Sequence, residues 1–528
     1  MSKTILLSAV AAVAILAAQP AMAKTLKWAN DGDVNSMDPY ARNETFLLSF
    51  MSNIYEPLVR RDKNLKVEPA LATEWTQTAP DTWRFKLRED VKFHDGAPFT
   101  ADDVVFSYQR ATGPGSNIPT KLASVKEVRK IDDHTVEFVT NGPNPILLEE
   151  ISDWYIMDKE WSEANNATQA ADLTKNEETY ASRNANGTGP FMLQDRQPDV
   201  KTVLVPNPNW WDEPEHNLTE VVFSRIGNDA TRVAALLSGE IDMIYTVPPQ
   251  DVERIRRTPG LRIVEGPELR TIFLGFDQTR DELLESSVKG KNPFKDPKVR
   301  EAFYRAIDMD AIKSKVMRGA SAPVGTMIGE GINGYTDELG ERYPHDVELA
   351  RKLLAEAGYA DGFEVGLDCP NDRYVNDEAI CQAVASMLAR VGVKVNLNAQ
   401  TRSKYFAKIL GPAYDTSFYM LGWTPSTYDA HNALYNLVAS RGDDKGSQGL
   451  FNVGGYSNPR VDELTAAILS ETDADKRDAM IQEALTIHKE EFGHIPLHQQ
   501  TVVWAARDNV DLVQLADNYF PLRFVRLQ

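Results

Sequence analysis

Most spacings that carry enzyme chemistry are missing from this chain. It has no G-x-x-x-x-G-K-[ST] phosphate loop and no H-E-x-x-H zinc helix. Gly319-Ala320-Ser321 and Gly455-Tyr456-Ser457 lack the closing glycine of a G-x-S-x-G nucleophile elbow. His494 and His498 stand four apart, a spacing that puts two imidazoles on one helix face. Pro496 lies between them and argues for a strand or loop instead. Trp423 is better placed for ligand work. Gly422-Trp423-Thr424-Pro425 follows an apolar run ending in Met420-Leu421, and a tryptophan at the end of a buried strand can wall a pocket. Core packing is the alternative for it. Cys369 and Cys381 are the only cysteines; a metal site would need further ligands nearby, and the histidines lie elsewhere in sequence.

The N-terminus decides the compartment in which those cysteines sit. Met1-Ser2-Lys3 is followed by an apolar segment from Ile5 to Ala18, then by Ala21-Met22-Ala23, the small–x–small pattern of a signal-peptidase site. These fourteen residues, apolar except for Ser8, rise only ~21 Å, short of the ~30 Å hydrocarbon core. The segment therefore reads as an export signal, residues 1–23, rather than an anchor. No cysteine stands near the cleavage site to carry a lipid. The mature chain then starts at Lys24, with 505 residues and no later apolar run of 18. In an oxidising compartment the cysteine pair reads as a disulfide closing 13 positions, worth ~3 kcal/mol by chain entropy.

Composition bounds the rest. With 42% hydrophobic and 25% charged residues the chain is globular, and 528 residues require more than one core. Its 57 basic and 77 acidic side chains give −20, which becomes −21 when Lys3 is lost. Nucleic acid is excluded as a partner, because phosphate binding needs a clustered positive footprint.

The elements that would position a site are mixed α and β. Trp83 to Arg88 alternates with period two, as do 135–139 and 202–205. Asp229 is expected to cap a helix that Gly239 stops, and Asp296-Pro297 starts another. Residues 346–398 read most clearly. Asp346 caps a helix ending at Gly358. A strand through Phe363, Val365 and Leu367 follows, then a helix capped by Asn376 or Asp377 and ending at Gly392. Val393, Val395 and Leu397 form the next strand. This is a βαβ unit with parallel pairing, and the disulfide would tie its first strand to its helix. Residues 158–189 are polar and Asn-rich, reading as loop and surface helix.

A family resemblance runs along the mature length. It rests on Leu71-Ala72-Thr73-Glu74-Trp75, on Trp83 to Arg88, and on Val91-Lys92-Phe93-His94-Asp95-Gly96-Ala97-Pro98-Phe99-Thr100-Ala101-Asp102-Asp103-Val104. Met37-Asp38-Pro39, Asn53 to Leu58, Asn186 to Phe191, Asn207 to Trp211, Leu237 to Asp242 and Asp296 to Asp308 belong to the same pattern. The chain resembles the family 5 solute-binding proteins, the periplasmic dipeptide-, oligopeptide- and nickel-binding components of ABC importers.

The resemblance implies an α/β, two-lobed periplasmic binding fold (type II-like) with an extra domain inserted in the first lobe. Residues 24–55, 187–275 and 500–528 would form lobe I, 56–186 the inserted domain and 276–499 lobe II. It implies no enzyme and no cofactor. The partners would be a small-molecule or peptide ligand and the inner-membrane permease subunits, with the protein a periplasmic monomer. In the family's dipeptide binders an Arg beside a Tyr pairs with the ligand carboxylate; Arg373-Tyr374 fits that pattern. The pocket segment adds Gly422, Trp423, Thr424, Ser426, Asp429 and His431. Peptide binders carry Asp three positions after the pocket Trp, where this chain has Ser426, so Asp429 is the expected amine anchor. Tyr428-Asp429-Ala430-His431 also resembles the nickel binder's Tyr-Asp-x-His. A nickel chelate reached by His431 is therefore the alternative cargo, and an exported hydrolase the alternative of another class.

Overall fold

A computed structural model describes residues 24–442 and 448–528; the expected export signal over 1–23 lies outside the described residues. The elements that matter for the site are, in chain order, β1 (Thr25–Asn30), α1 (Thr45–Met51), α2 (Ala101–Thr112), β2 (Leu261–Phe276), β3 (Phe363–Pro370), α3 (Asp377–Ala389), β4 (Val393–Gln400), β5 (Phe418–Trp423), α4 (Ala474–Glu490) and β6 (His494–Arg507).

One eleven-stranded sheet organises the molecule. Its order is β4, β3, β5, β2, β6, then Met243–Ile244, β1, and the strands Glu220–Arg225, Lys201–Pro206 and Phe191–Gln197, with Ser321–Pro323 pairing β6 off this path. The two longest strands, β2 and β6, run antiparallel in its middle and join the two halves. In one half both faces of the sheet are covered. Ile272, Leu274, Phe276, Phe418 and Met420 enter one core, and Phe273, Tyr419 and Leu421 the opposite one, as period-two alternation requires. Burying each such side chain contributes about 1.5–3 kcal/mol. Residues 56–186 contribute a separate four-stranded sheet, ordered Ala72–Ala79, Thr82–Leu87, Thr135–Thr140, Val125–Asp132.

Within the βαβ unit β3 pairs β4 in parallel from Phe363–Val393 to Pro370–Gln400. Asp346 accepts from Leu349 N, and Gly358 takes φ +89° past that helix's end. The start of α3 differs from the expected side-chain cap. Asn376 adopts a left-handed conformation without capping. Asp377 instead accepts the N–H groups of Arg373 (2.9 Å), Tyr374 (3.0 Å) and Glu378 (2.9 Å), folding the preceding loop. Cys369 and Cys381 form a disulfide between the end of β3 and α3. Replacing both with serine is expected to lower the unfolding free energy by about 3 kcal/mol, measured by urea denaturation. In the other half, the helix Asp229–Ser238 is capped by Asn228 rather than Asp229, because the Asn228 side chain accepts from Thr231 N. Residues 158–189 hold short helices and loop, and Ala167 and Ala170 of the loop and Ala181 of a helix are buried in the core that also takes in Trp28 and Phe50.

The sequence motifs converge on one joint, where residues 56–186 leave and rejoin the sheet. Gly189 N and Phe191 N donate to the carbonyls of Ile54 and Asn53. A Cβ on Gly187 would stand 2.1 Å from Ile54 O, so no other residue fits. Glu56 accepts from Trp210 Nε1, Trp211 Nε1 and Thr188 Oγ1. The Thr100–Asp103 segment is a capping box that starts α2.

Two sets of buried titratable groups set the pH profile. Burial holds His94 and His431 down to about 4, and His488 and His498 down to about 3; it also lowers His494. These imidazoles fold neutral, so their contribution is present above the unfolded value near 6.5 and is lost as pH falls toward 3–4. Burial raises Asp103 and Glu150 to about 7, Asp158 and Asp517 to about 6, and Asp377 to about 8. Their contribution is full below the unfolded carboxyl value and is lost as pH rises through 6–8. Each group changes stability by about 1.4 kcal/mol per pH unit inside its window. Burial raises Glu56 as well, so the two opposed slopes offset one another in the mildly acid range where the two windows overlap. The melting temperature is expected to be highest there and to fall on both sides, as a pH series of thermal melts will check.

Candidate functional site

The register of β2 against β6 slips between residues 267 and 271. Glu268, Leu269 and Arg270 thus leave the ladder where the two halves of the sheet meet. Above this break lies a cavity with about 1490 Å³ of space between atoms, partly continuous with solvent. One wall is α1, whose Thr45 and Leu48 face inward together with Ser52 just past its end. The opposite wall is the end of β3 and β5.

Arg373, Tyr374, Gly422, Trp423, Thr424 and Ser426 line this cavity. Tyr374 is buried, and its hydroxyl accepts from Gly422 N at 2.9 Å. A Cβ on Gly422 would come within 2.7 Å of Tyr374 Cε1, so glycine is what lets the ring close over the end of β5. Trp423 Nε1 donates to Asn432 Oδ1 at 2.8 Å, and its ring packs 5.0 Å from that of Phe451. Both rings border the cavity. The Ser426 carbonyl accepts from Arg61 Nη2, whose guanidinium sits 4.1 Å from the Tyr428 ring.

Arg373 reaches across the cavity. Its Nε lies 2.9 Å from Glu44 Oε1, and Arg402 Nη1 approaches the same oxygen at 3.4 Å. Glu44 caps α1 through Leu47 N. Burial alone would raise its carboxyl, but Arg373, Arg402 and the Leu47 N–H outweigh it and hold it at about 2.

Asp429 and His431 do not line the main cavity, and both expectations need correcting. Asp429 is buried against Arg477 of α4, with Oδ2–Nη1 2.5 Å and Oδ1–Nη2 2.8 Å. It also accepts from Asn333 Nδ2 and His431 N. Its lone pairs are consumed inside the fold, leaving none for a ligand ammonium. His431 is buried on the far side of Ser426 and Asn432, where it borders a smaller neighbouring cavity.

Acidic groups that no sequence motif marks do face the cavity. Asp153 pairs with Lys121 at 2.5 Å and accepts from Tyr519 Oη at 3.2 Å, while its buried Oδ1 has no partner. Asp517 accepts from Tyr428 Oη at 2.9 Å and Tyr519 N at 3.0 Å. Burial still pushes Asp517 up to about 6. Seven lining residues are arginine or lysine and four are aspartate or glutamate. Among the described residues, no histidine or cysteine lines the cavity, which leaves a hydrolase reading without an imidazole base or thiol there. The chain also has no described helix long and apolar enough to cross a membrane.

Comparison with known proteins fits this geometry. The family model for bacterial extracellular solute-binding proteins, family 5 Middle, matches residues 66–445. The glutathione-binding protein GsiB of Salmonella typhimurium is 26% identical over 511 residues, covering 96% of this chain and 94% of that one. The periplasmic binding protein DppA of Helicobacter pylori, solved with the peptide STSA, superposes with TM-score 0.84 at 24% identity, covering 95% of this chain and 98% of that one. A dipeptide-binding protein from Pseudoalteromonas sp. SM9913, solved with Met-Leu, gives 0.83 at 22% identity, covering 96% and 100%. The fold shared with these structures is the two-lobed one.

Proposed function

Since the chain belongs to the bacterial extracellular solute-binding proteins of family 5, we propose that it captures a peptide or peptide-like, amine-bearing solute in the periplasm and hands it to the permease subunits of an ABC importer. The observation that carries this reading is the polarity of the cavity along α1. Arg373 contacts Glu44 at the start of α1, and Arg270 acts on the same carboxylate. Asp153 and Asp517 both accept from Tyr519, whose neighbour Phe520 donates to Ser49 nearer the helix's end, and Trp423 and Phe451 border the space. From Thr45 to Ser52 the helix rises about 10 Å, close to an extended peptide of two or three residues at ~3.3–3.6 Å each. Arg373 with Tyr374 would take the carboxylate. The ammonium would meet Asp517 and Asp153, which supply the charge that Ser426 lacks and that Asp429 spends on Arg477.

On this reading the chain divides into lobe I (24–55, 187–275 and 500–528), an inserted domain (56–186) and lobe II (276–499), crossed by β2 and β6. Residues 1–23 direct export, and the protein works as a monomer. Closure brings Glu44 of lobe I onto Arg373 and Arg402 of lobe II, a hinge transition that bound solute favours.

Native mass spectrometry of protein purified from its own periplasm tests the cargo. A retained short peptide is the expected result; a metal with a small polycarboxylate would sink the peptide reading.

A further inference from the structure

The cavity holds a buried cation that the protein itself leaves partly unmatched. Arg42 is only 4% exposed, yet its Nε has no hydrogen-bond partner, and among the described residues no ion pair reaches its guanidinium. The Cζ sits 5.4 Å from the Phe406 ring, and both residues line the cavity. Nearby carboxylates are committed elsewhere. Glu44 is taken by Arg373 and Arg402. Glu268 is taken by Arg270 at 2.7 Å and by Gln500. Asp172 accepts from Thr174 N and pairs with Lys175, and its charge also favours Arg42 without forming an ion pair with it. Arg270 is itself half satisfied: it is 1% exposed, and its Nη2 has no partner.

Four guanidiniums (Arg42, Arg270, Arg373 and Arg402) therefore gather about Glu44, Glu268 and Asp172 beside the cavity, and among the described residues Arg42 is the one of the four with no ion pair. Burial lowers Arg42 to about 10, with Glu44 and Asp172 opposing and Arg402 adding repulsion, so it stays charged at neutral pH. Uncompensated buried charge is unfavourable unless something pairs with it, and a planar guanidinium fork matches a carboxylate.

We propose that Arg42, supported by Arg270, is a second anion anchor, so that the solute carries a carboxylate beyond the one at Arg373 and is net negative. This rests on the reading that solute binds in this cavity, and it narrows the solute to acidic short peptides or peptide-like polycarboxylates. It also accounts for a cation-rich cavity in a chain of net charge −20.

The test offers ligand-stripped protein an equimolar mixture of Ala-Ala, Ala-Glu, glutathione and citrate, with bound species read by native mass spectrometry. Ala-Glu or glutathione is expected to be retained at least about tenfold over Ala-Ala, the ratio that one added charge-assisted hydrogen bond supplies. Arg42→Gln is expected to abolish that preference while raising the melting temperature of the empty protein, and Arg42→Lys to keep part of it. Equal retention of Ala-Ala, a preference that survives in Arg42→Gln, retention of nothing, or an Arg42→Gln protein less stable than its parent would each overturn the proposal. Citrate retained to the exclusion of every peptide would support the anion anchor and overturn the peptide reading. Neutral and acidic peptides retained alike would do the reverse.

Discussion

Replacing Asp429 with alanine is expected to lower the unfolding free energy by about 3–5 kcal/mol, because it strands a buried guanidinium. Arg477 makes two short hydrogen bonds to that carboxylate and is itself 7% exposed. The same change removes the acceptor for Asn333 Nδ2 and for His431 N at the start of the following helix. Urea denaturation at neutral pH measures the loss. Replacing both partners, Asp429→Leu with Arg477→Met, should recover much of it, since a buried ion pair exchanged for apolar groups of similar volume is often neutral. The amine-anchor reading makes the opposite forecast: full stability with weakened binding of amine-bearing ligands. An Asp429→Ala protein as stable as its parent but deficient in such binding would restore Asp429 to the site.

That residue also marks where sequence reading stops. Alternation and capping are local, so the βαβ unit, its parallel pairing, the disulfide and the Asp346 and Asp296 caps are legible: each depends on residues within a short stretch of chain. The helix expected to be capped by Asp229 is capped one position earlier by Asn228, since Asn and Asp compete equally well for that role. The wall from Arg373 to Ser426 is legible through family resemblance, which compares matching positions. Resemblance at Asp429 cannot reveal that Arg477, 48 residues on, claims its carboxylate. Arg42, Asp153, Arg270 and Asp517 come from four distant segments. Only the slipped register of β2 and the packing of α1 bring them to one cavity.

Arg373→Ala should produce the largest functional loss. If the guanidinium pairs with the solute's carboxylate in a closed, water-poor cavity, its removal costs about 2–5 kcal/mol of binding, or roughly 30- to several-thousandfold in Kd. Arg373 also contacts Glu44, so a purely structural role must be told apart from a binding one. Arg402 remains on Glu44 after the substitution, and the Leu47 N–H still donates to it. The Glu44 carboxylate therefore stays charged and partnered, and the empty protein should lose little stability. Titration of a short peptide and of the same peptide with its C-terminus amidated separates the two roles. Loss of affinity for the free acid alone, with the amide bound equally by parent and variant, is the outcome that assigns the carboxylate to Arg373. Equal losses for both forms, alongside a lowered melting temperature, would instead make Arg373 a clamp between the lobes that acts through Glu44 and touches no solute.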